Sequence, residues 1–248
     1  MGGFQKVYVT GPEKSTNAIV SVYDIFGFFP QTQQGADLIA STLKTTVYMP
    51  DFFEPKALLL ATLTLKYILT RHQEPFPTSR HPPKDDSDKQ ALQAFFGPEG
   101  AAHPASNIGK LIKLAEALKA DGVKNVGAYG FCWGAKICIL AGAEGTPLSS
   151  VAMVHPAQVM LSAEDAEKLT VPLAMYISKD ESADEARQYN KINAIIAKKP
   201  FASKSDSKNY ENMFHGFGSA RADLKNEDNK KEFEDVYGKL ATFFSNTL

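Results

Sequence analysis

The sequence predicts an α/β protein with a mostly parallel central sheet and helices on both faces. Short β-branched runs alternate with segments of helical periodicity along most of the 248 residues, and this alternation is typical of such a sheet. The length suits one domain of the larger α/β kind, since these folds routinely run to about 200–250 residues. We therefore expect residues 1–248 to form a single domain.

Six strands are predicted from apolar and β-branched runs bounded by turn residues. The first ends at Asp24 and turns at Gly27, and the last precedes a loop that contains a histidine. In chain order the predicted strands are Ala18–Tyr23, Thr46–Met49, Asn125–Tyr129, Val151–His155, Leu173–Ser178 and a strand near Asn209–Met213.

Helices are predicted between these strands from apolar residues at helical spacing. The clearest runs over Asn107–Ala120 and is followed by Gly122 as a stop signal. The last, roughly Glu232–Ser245, carries one apolar stripe and is expected to close the core. Two more are predicted to begin at capping-box-like pairs, Ser162 with Asp165 and Ser182 with Glu185.

Residues 71–103 do not follow the alternation of strands and helices, because they are rich in proline, glycine and charged residues. A loop this long inside a compact domain is usually either a functional cap or a mobile segment. We keep both interpretations, with residues 71–103 as a candidate cap over the site.

Composition and charge indicate a cytoplasmic protein that acts on a small molecule. Lys and Arg number 27 against 28 Asp and Glu, so no basic footprint for nucleic acid is present. No apolar run approaches the about 18 residues of a membrane span, and residues 1–6 lack the apolar core of a signal peptide. Two cysteines cannot supply a four-ligand metal site unaided. We expect no metal, organic cofactor, nucleic acid or membrane partner, and the sequence leaves the oligomeric state open.

The most informative segment is Gly130-Phe131-Cys132-Trp133-Gly134, which lies between a predicted strand and a predicted helix. This is the pattern of a nucleophile elbow with cysteine in place of serine, in which small neighbours make room for the following helix. The N-terminus of that helix should favour a thiolate, and the Trp133 amide should face an oxyanion formed beside the sulfur. Alternatively, Cys132 is a small buried residue in a tight turn. We expect Cys138, further along the helix, to pack in the core.

A nucleophilic thiol needs a base, and the base needs an acceptor that orients it. Asp180 follows a strand at its carboxyl end, where open α/β sheets place their sites, and His215 lies in a short glycine-containing loop before the last helix. The order nucleophile, acid, histidine is that of α/β-hydrolases. Three alternatives remain: Glu181 or Asp184 as the acid, and His155 as the base.

Taken in order, four motifs resemble the dienelactone hydrolase family, and most closely its fungal cytosolic members. They are Tyr23-Asp24-Ile25-Phe26-Gly27, the Gly130–Gly134 elbow, the turn at Asp180 and the loop His215-Gly216-Phe217. The similarity covers essentially the whole chain. It implies an α/β-hydrolase fold, a triad of Cys132, Asp180 and His215, and hydrolysis of lactones or related esters.

The resemblance also implies roles for the motif after the first strand. Asp24 matches a family glutamate that helps to form the thiolate once substrate is bound, although its side chain is one methylene shorter. Asp24 as a plain loop acid is the alternative. The amide of Ile25 matches the second oxyanion donor, beside that of Trp133.

The residues that hold a substrate carboxylate in the family differ here. Pro55 stands where one family arginine would fall, and Arg221 follows His215 at a longer spacing than in the family pattern. Phe52 and Phe53 favour a more apolar pocket, with core packing as the other interpretation.

The predicted function is therefore a cysteine-dependent hydrolase of lactones or small esters. The alternative is a non-catalytic protein of the same fold that binds a small molecule or senses redox state through Cys132, since an exposed thiol of low pKa would serve either role.

Overall fold

The computed structural model of the protein describes residues 1–54, 74–157, 162–179 and 183–248. Within these ranges seven strands form one sheet in the order β1-β3-β2-β4-β5-β6-β7. The strands are β1 Val7–Thr10, β2 Asn17–Val22, β3 Thr46–Pro50, β4 Asn125–Phe131, β5 Ser150–Val154, β6 Leu173–Ser178 and β7 Asp206–Tyr210.

The sheet is parallel except at one edge, where β1 pairs with β3 in the antiparallel sense. Its central strands β2, β4 and β5 are buried almost throughout. Continuous burial explains their apolar sequences, because helices cover both faces of a parallel sheet. The predicted fold class is confirmed.

The helices are α1 Pro30–Leu43, α2 Asp86–Phe96, α3 Pro104–Ala120, α4 Trp133–Ala141, α5 Ala163–Lys168, α6 Ala183–Ile196 and α7 Glu227–Thr247. Successive residues of β4 point to opposite faces of the sheet, and their contacts show which helices cover each face. Tyr129 packs on Phe244 of α7, with ring centroids 6.2 Å apart, whereas Gly130 faces the start of α4. Helices α1 and α7 pack together on the first of these faces.

The structure differs from the sequence-based expectations in four places. The short strand β1 and helix α1 carry patterns too weak to have been assigned, and β7 begins three residues before the predicted strand at Asn209. Residues 74–103 are not a plain loop, because they contain α2, whose N-cap Asp85 accepts a hydrogen bond from the Asp88 amide at 2.9 Å. The capping box at Ser162 is confirmed.

In the ranges that the structure describes, no helix combines the length and the apolar character needed to cross a membrane.

Candidate active site

Cys132 lies between β4 and α4 in a backbone conformation that few non-glycine residues adopt, with φ 53° and ψ −112°. Such strain persists only where the surroundings enforce it, and it is concentrated at functional sites. The turn after β5 enforces it here: the Cys132 amide donates to the Val154 carbonyl at 3.2 Å, and the Cys132 carbonyl accepts from the Ala157 amide at 3.0 Å.

The two glycines that flank Cys132 allow α4 to approach the sheet closely. A Cβ atom on Gly130 would collide with the backbone of Gly134, and one on Gly134 would collide with the carbonyls of Val22 and Tyr23. The elbow geometry predicted from the sequence is therefore present, and the start of α4 lies against the end of β2.

The surroundings of Cys132 raise the pKa of its thiol, whereas the helix N-terminus alone would favour a thiolate. Burial is the largest cause, and with the nearby carboxylate of Asp24 it raises the thiol pKa to about 12. A hydrogen bond from the Trp133 amide and the charge of Arg221 act in the opposite direction without balancing it. Cys138 is fully buried in α4, as predicted.

The Trp133 amide at the start of α4 lowers the pKa of the Cys132 thiol, so it acts on the sulfur beside which the sequence predicts an oxyanion donor. The indole points away from the sulfur into the core, where Nε1 donates to the Ala102 carbonyl at 2.8 Å. Phe53 and Phe52 pack on it with ring centroids 4.9 and 6.1 Å away. Both phenylalanines are fully buried, so the structure places them in the core behind Trp133.

Asp24 is buried and is held by the loop that follows His215. Its Oδ2 accepts from Ser219 Oγ at 2.7 Å and from the Ala220 amide at 3.3 Å, while Oδ1 accepts from the Phe26 amide at 2.9 Å. Burial raises the pKa of Asp24, although these hydrogen bonds lower it. The carboxylate thus anchors the histidine loop, and it acts on the Cys132 thiol through its charge.

We call residues Phe214–Ala222 the histidine loop. Its carbonyl groups accept hydrogen bonds from one of its own side chains and from side chains on α1 and α7, which fix its path. The donors are Arg221 Nη1 to His215 at 2.7 Å, Asn229 Nδ2 to Phe217 at 3.0 Å, Tyr237 Oη to Gly218 at 3.0 Å and Gln31 Nε2 to Ala222 at 3.1 Å.

His155, the alternative base, lies directly beside His215. The two rings meet edge to face with centroids 5.1 Å apart, and His155 also stacks on Phe131 with centroids 5.5 Å apart. The backbone of His155 is left-handed as well, with φ 34°. Its position at a strand end was visible in the sequence, but its contact with His215 was not.

Ile25 and Arg221 border the same site. Ile25 is in the loop after β2, and its carbonyl accepts from the Phe76 amide at 2.8 Å, so the segment after residue 73 lies over this loop. Arg221 is exposed, is bonded to the His215 carbonyl, and its charge acts on both Cys132 and Asp24.

Asp180, the predicted acid, and its rival Glu181 lie outside the described residues, as does Pro55. The end of β6 is described, and the Lys179 amide donates to the Met213 carbonyl at 2.8 Å, two residues before His215. Among the residues that the structure describes, no three His, Cys, Asp or Glu side chains are placed to hold a metal ion.

A mostly parallel sheet, a strained elbow after a central strand and a histidine loop before the last helix define an α/β-hydrolase. The model of the dienelactone hydrolase family matches residues 5–248. The chain belongs to this family, and it is therefore a hydrolase of lactones or esters.

Relatives with similar sequences and folds support the assignment. An uncharacterized AIM2 family protein of Schizosaccharomyces pombe is 33% identical in an alignment of 246 residues that covers 97% of this chain and 87% of that protein. The structure of a dienelactone hydrolase from Anabaena variabilis superposes with a TM-score of 0.62 at 12% identity, covering 98% of this chain and 91% of that one. A dienelactone hydrolase-like promiscuous phosphotriesterase from metagenomic libraries gives 0.59 at 16% identity, covering 96% and 88%.

Proposed function

We propose that the protein hydrolyses lactones or small esters with Cys132 as nucleophile, His215 as general base and Asp180 as the acid that orients His215. The observation that carries the proposal is the strained backbone of Cys132 at the elbow, with φ 53° between two glycines that cannot accept a side chain. A cysteine that served only for packing would not need this conformation.

The mechanism begins from a neutral thiol, because burial raises its pKa. As the sulfur attacks the substrate carbonyl carbon, His215 accepts the thiol proton, and the amides of Trp133 and Ile25 donate to the developing oxyanion. The carbon–oxygen bond to the leaving group then breaks, and His215 returns the proton to the alkoxide. In the second half, His215 takes a proton from water as the water oxygen attacks the acyl-enzyme carbonyl. The carbon–sulfur bond then breaks, the acid is released, and His215 returns the proton to the Cys132 sulfur.

This chemistry favours esters and lactones over amides. An alkoxide leaves without the full protonation that an amine requires, so a thiol attack is completed more readily on an oxygen ester. No step in this scheme calls for a metal or an organic cofactor.

Arg221 is the candidate residue for recognising a polar substrate group. It is exposed beside His215, and its guanidinium acts on the Cys132 thiol. Phe52 and Phe53 would shape the pocket only through Trp133, since both are buried behind it.

Residues 74–103 are proposed to be part of a cap. The Phe76 amide bonds the Ile25 carbonyl at 2.8 Å, and the Ala102 carbonyl holds the Trp133 indole, so both ends of this segment contact residues of the site. A cytosolic location is also proposed, since both cysteines are free thiols, which suits a reducing compartment.

A redox-sensing role is disfavoured by the same thiol. A sensor cysteine has a low pKa and reacts as an exposed thiolate, whereas the pKa of Cys132 is raised to about 12. Hydrolysis is compatible with this value, because the base can remove the proton during attack.

The decisive experiment replaces the nucleophile and the base. Cys132→Ala and His215→Ala should each lower kcat on aryl esters and simple lactones by about a thousandfold or more, the scale on which triad members act. Cys138→Ala is the matched control: the same chemical change six residues away, fully buried in α4, should leave kcat within about twofold and cost about 1 kcal/mol of stability. Turnover at the wild-type rate in both site variants would exclude the triad.

A further inference from the structure

The imidazole of His155, beside the site, is a buried polar side chain whose hydrogen-bonding capacity is not used by any residue that the structure describes. It is fully buried, and within the described ranges neither of its ring nitrogens has a hydrogen-bond partner. Native proteins bond nearly all buried polar groups, so an exception calls for an explanation. One explanation is a role that arises only during the reaction.

Packing alone does not explain an imidazole at this position. The ring stacks on Phe131 and touches Phe217 at a centroid distance of 5.7 Å, two contacts that a phenylalanine would make without unpaired nitrogens. His215 also lies beside the ring, at a centroid distance of 5.1 Å. The only one of these three rings that changes its charge is that of His215.

The backbone holds the His155 ring in a fixed position. The His155 amide donates to the Tyr176 carbonyl at 2.7 Å, and the neighbouring Val154 and Ala157 are the two residues bonded to the peptide groups of Cys132. The same turn therefore enforces the Cys132 conformation and sets His155 against His215. The elbow therefore fixes His155 in contact with His215.

We propose that His155 is a positioning residue for His215: its uncharged imidazole stabilises the protonated ring that forms when His215 takes the thiol proton. A neutral imidazole offers a dipole and a nitrogen lone pair to a neighbouring cation and adds no repulsion. The contribution is made mainly in the charged intermediate state, so it lowers the barrier to thiol attack and leaves substrate binding nearly unchanged.

The surroundings keep His155 uncharged. Burial lowers its pKa first, and the charges of His215 and Arg221 lower it further. Among the described residues, the site also contains the titratable groups of Cys132 and Asp24, and the charge of Asp24 acts on Cys132. The proposed acid Asp180 lies outside the described residues. A second positive charge beside His215 is thus avoided when the thiol proton arrives.

The test is His155→Phe, which keeps a ring of similar shape and removes both nitrogens. We expect kcat on a simple aryl ester to fall about tenfold with little change in KM, the lower end of the range seen when a metal-bound histidine loses its orienting partner. In nitrogen-15 NMR titrations, the pKa of His215 should fall by roughly half a unit, a threefold change in its acid dissociation constant. His155→Asn, which keeps a neutral polar group, should lie between this variant and the wild type.

Unchanged kcat and an unchanged His215 titration in His155→Phe would overturn the proposal and leave His155 as a packing residue. If His155→Phe does not fold, His155→Asn can be compared with His155→Leu, which lacks a polar group. Equal His215 titrations in these two variants would overturn the proposal. Tyr129→Phe is the control, because it removes a buried polar atom from another ring that packs on Phe131 at a centroid distance of 5.5 Å, and it should leave both readouts unchanged. The proposal rests on the function proposed above, but the NMR readout separates the two, because it needs no substrate.

Discussion

Two regions that form the site are held in place by different means. The elbow region, residues 130–134 with residues 154–157, is fixed by backbone hydrogen bonds and by glycines that let α4 touch the sheet. The histidine loop is fixed by side chains from elsewhere in the chain, including Asn229 and Tyr237 of α7 and the buried carboxylate of Asp24. The proposed nucleophile, Cys132, is thus held by close packing, and the proposed base, His215, by a set of separate hydrogen bonds.

This difference implies different responses to mutation. A backbone collision in the elbow region has no side chain that can move aside, so one methyl group should disturb the whole region. In the histidine loop each hydrogen bond can be removed alone, so the effects should be smaller and graded.

The largest effect is expected for Gly134→Ala. The new methyl group would meet the carbonyls of Val22 and Tyr23, so we expect a loss of about 3 kcal/mol in the free energy of unfolding, the upper range for overpacking. Gly109→Ala is the control, because nothing lies within 4 Å of a Cβ there, and a helical alanine should add up to about 1 kcal/mol. Urea unfolding measures both, and equal stabilities would contradict the close packing of α4.

Ser219→Ala should have an intermediate and pH-dependent effect. The Ser219 hydroxyl lowers the pKa of Asp24, which means that it favours the ionised carboxylate. Its stabilisation is therefore present above the pKa of Asp24 and is lost as the pH falls through it. We expect a cost of about 2 kcal/mol at pH 8, typical of a hydrogen bond to a charged group, and a smaller cost at pH 4.

Thermal unfolding of this variant at the two pH values measures the difference. Ser41→Ala, which removes an exposed hydroxyl bonded to the Leu38 carbonyl in α1, should cost less than about 0.5 kcal/mol at either pH. If Ser219→Ala lost more stability at pH 4 than at pH 8, the result would contradict the conclusion that the Ser219 hydroxyl lowers the pKa of Asp24.

The smallest effect is expected where the two regions meet. The negative charge of Asp24 raises the pKa of the Cys132 thiol, so Asp24→Asn should lower that pKa and speed alkylation by iodoacetamide at pH 8. A shift of up to one unit corresponds to a factor of up to about ten. Asp37→Asn on the surface of α1 is the control, and slower alkylation of Asp24→Asn would contradict the electrostatic coupling.

The sequence predicted the elbow region better than the histidine loop for a physical reason. Gly130, Cys132 and Gly134 act within five consecutive residues, so their spacing carries the geometry. Ser219 and Asp24 are 195 residues apart in the sequence, so no local sequence pattern could predict their contact. The predicted strands coincide with β2 to β6 within one or two residues, because buried parallel strands carry strong apolar runs.

The state of the Cys132 thiol could not be predicted for a related reason. The helix N-terminus is visible in the sequence and favours a thiolate, but the depth of burial is a property of the whole fold, and here burial is the larger cause. Asp180 stays a prediction, since it lies outside the described residues.

Trp133 has two separate roles, one through its main chain and one through its indole side chain. Its main-chain N–H is the proposed oxyanion donor beside Cys132, while its side chain, bonded to the Ala102 carbonyl at 2.8 Å, joins residues 101–102 to the core. A change of substrate preference would have to be achieved on other surfaces of the pocket, because this side chain faces away from the thiol. The tryptophan therefore constrains how the enzyme can evolve, because the residue next to the proposed nucleophile is required by folding as well as by the proposed chemistry.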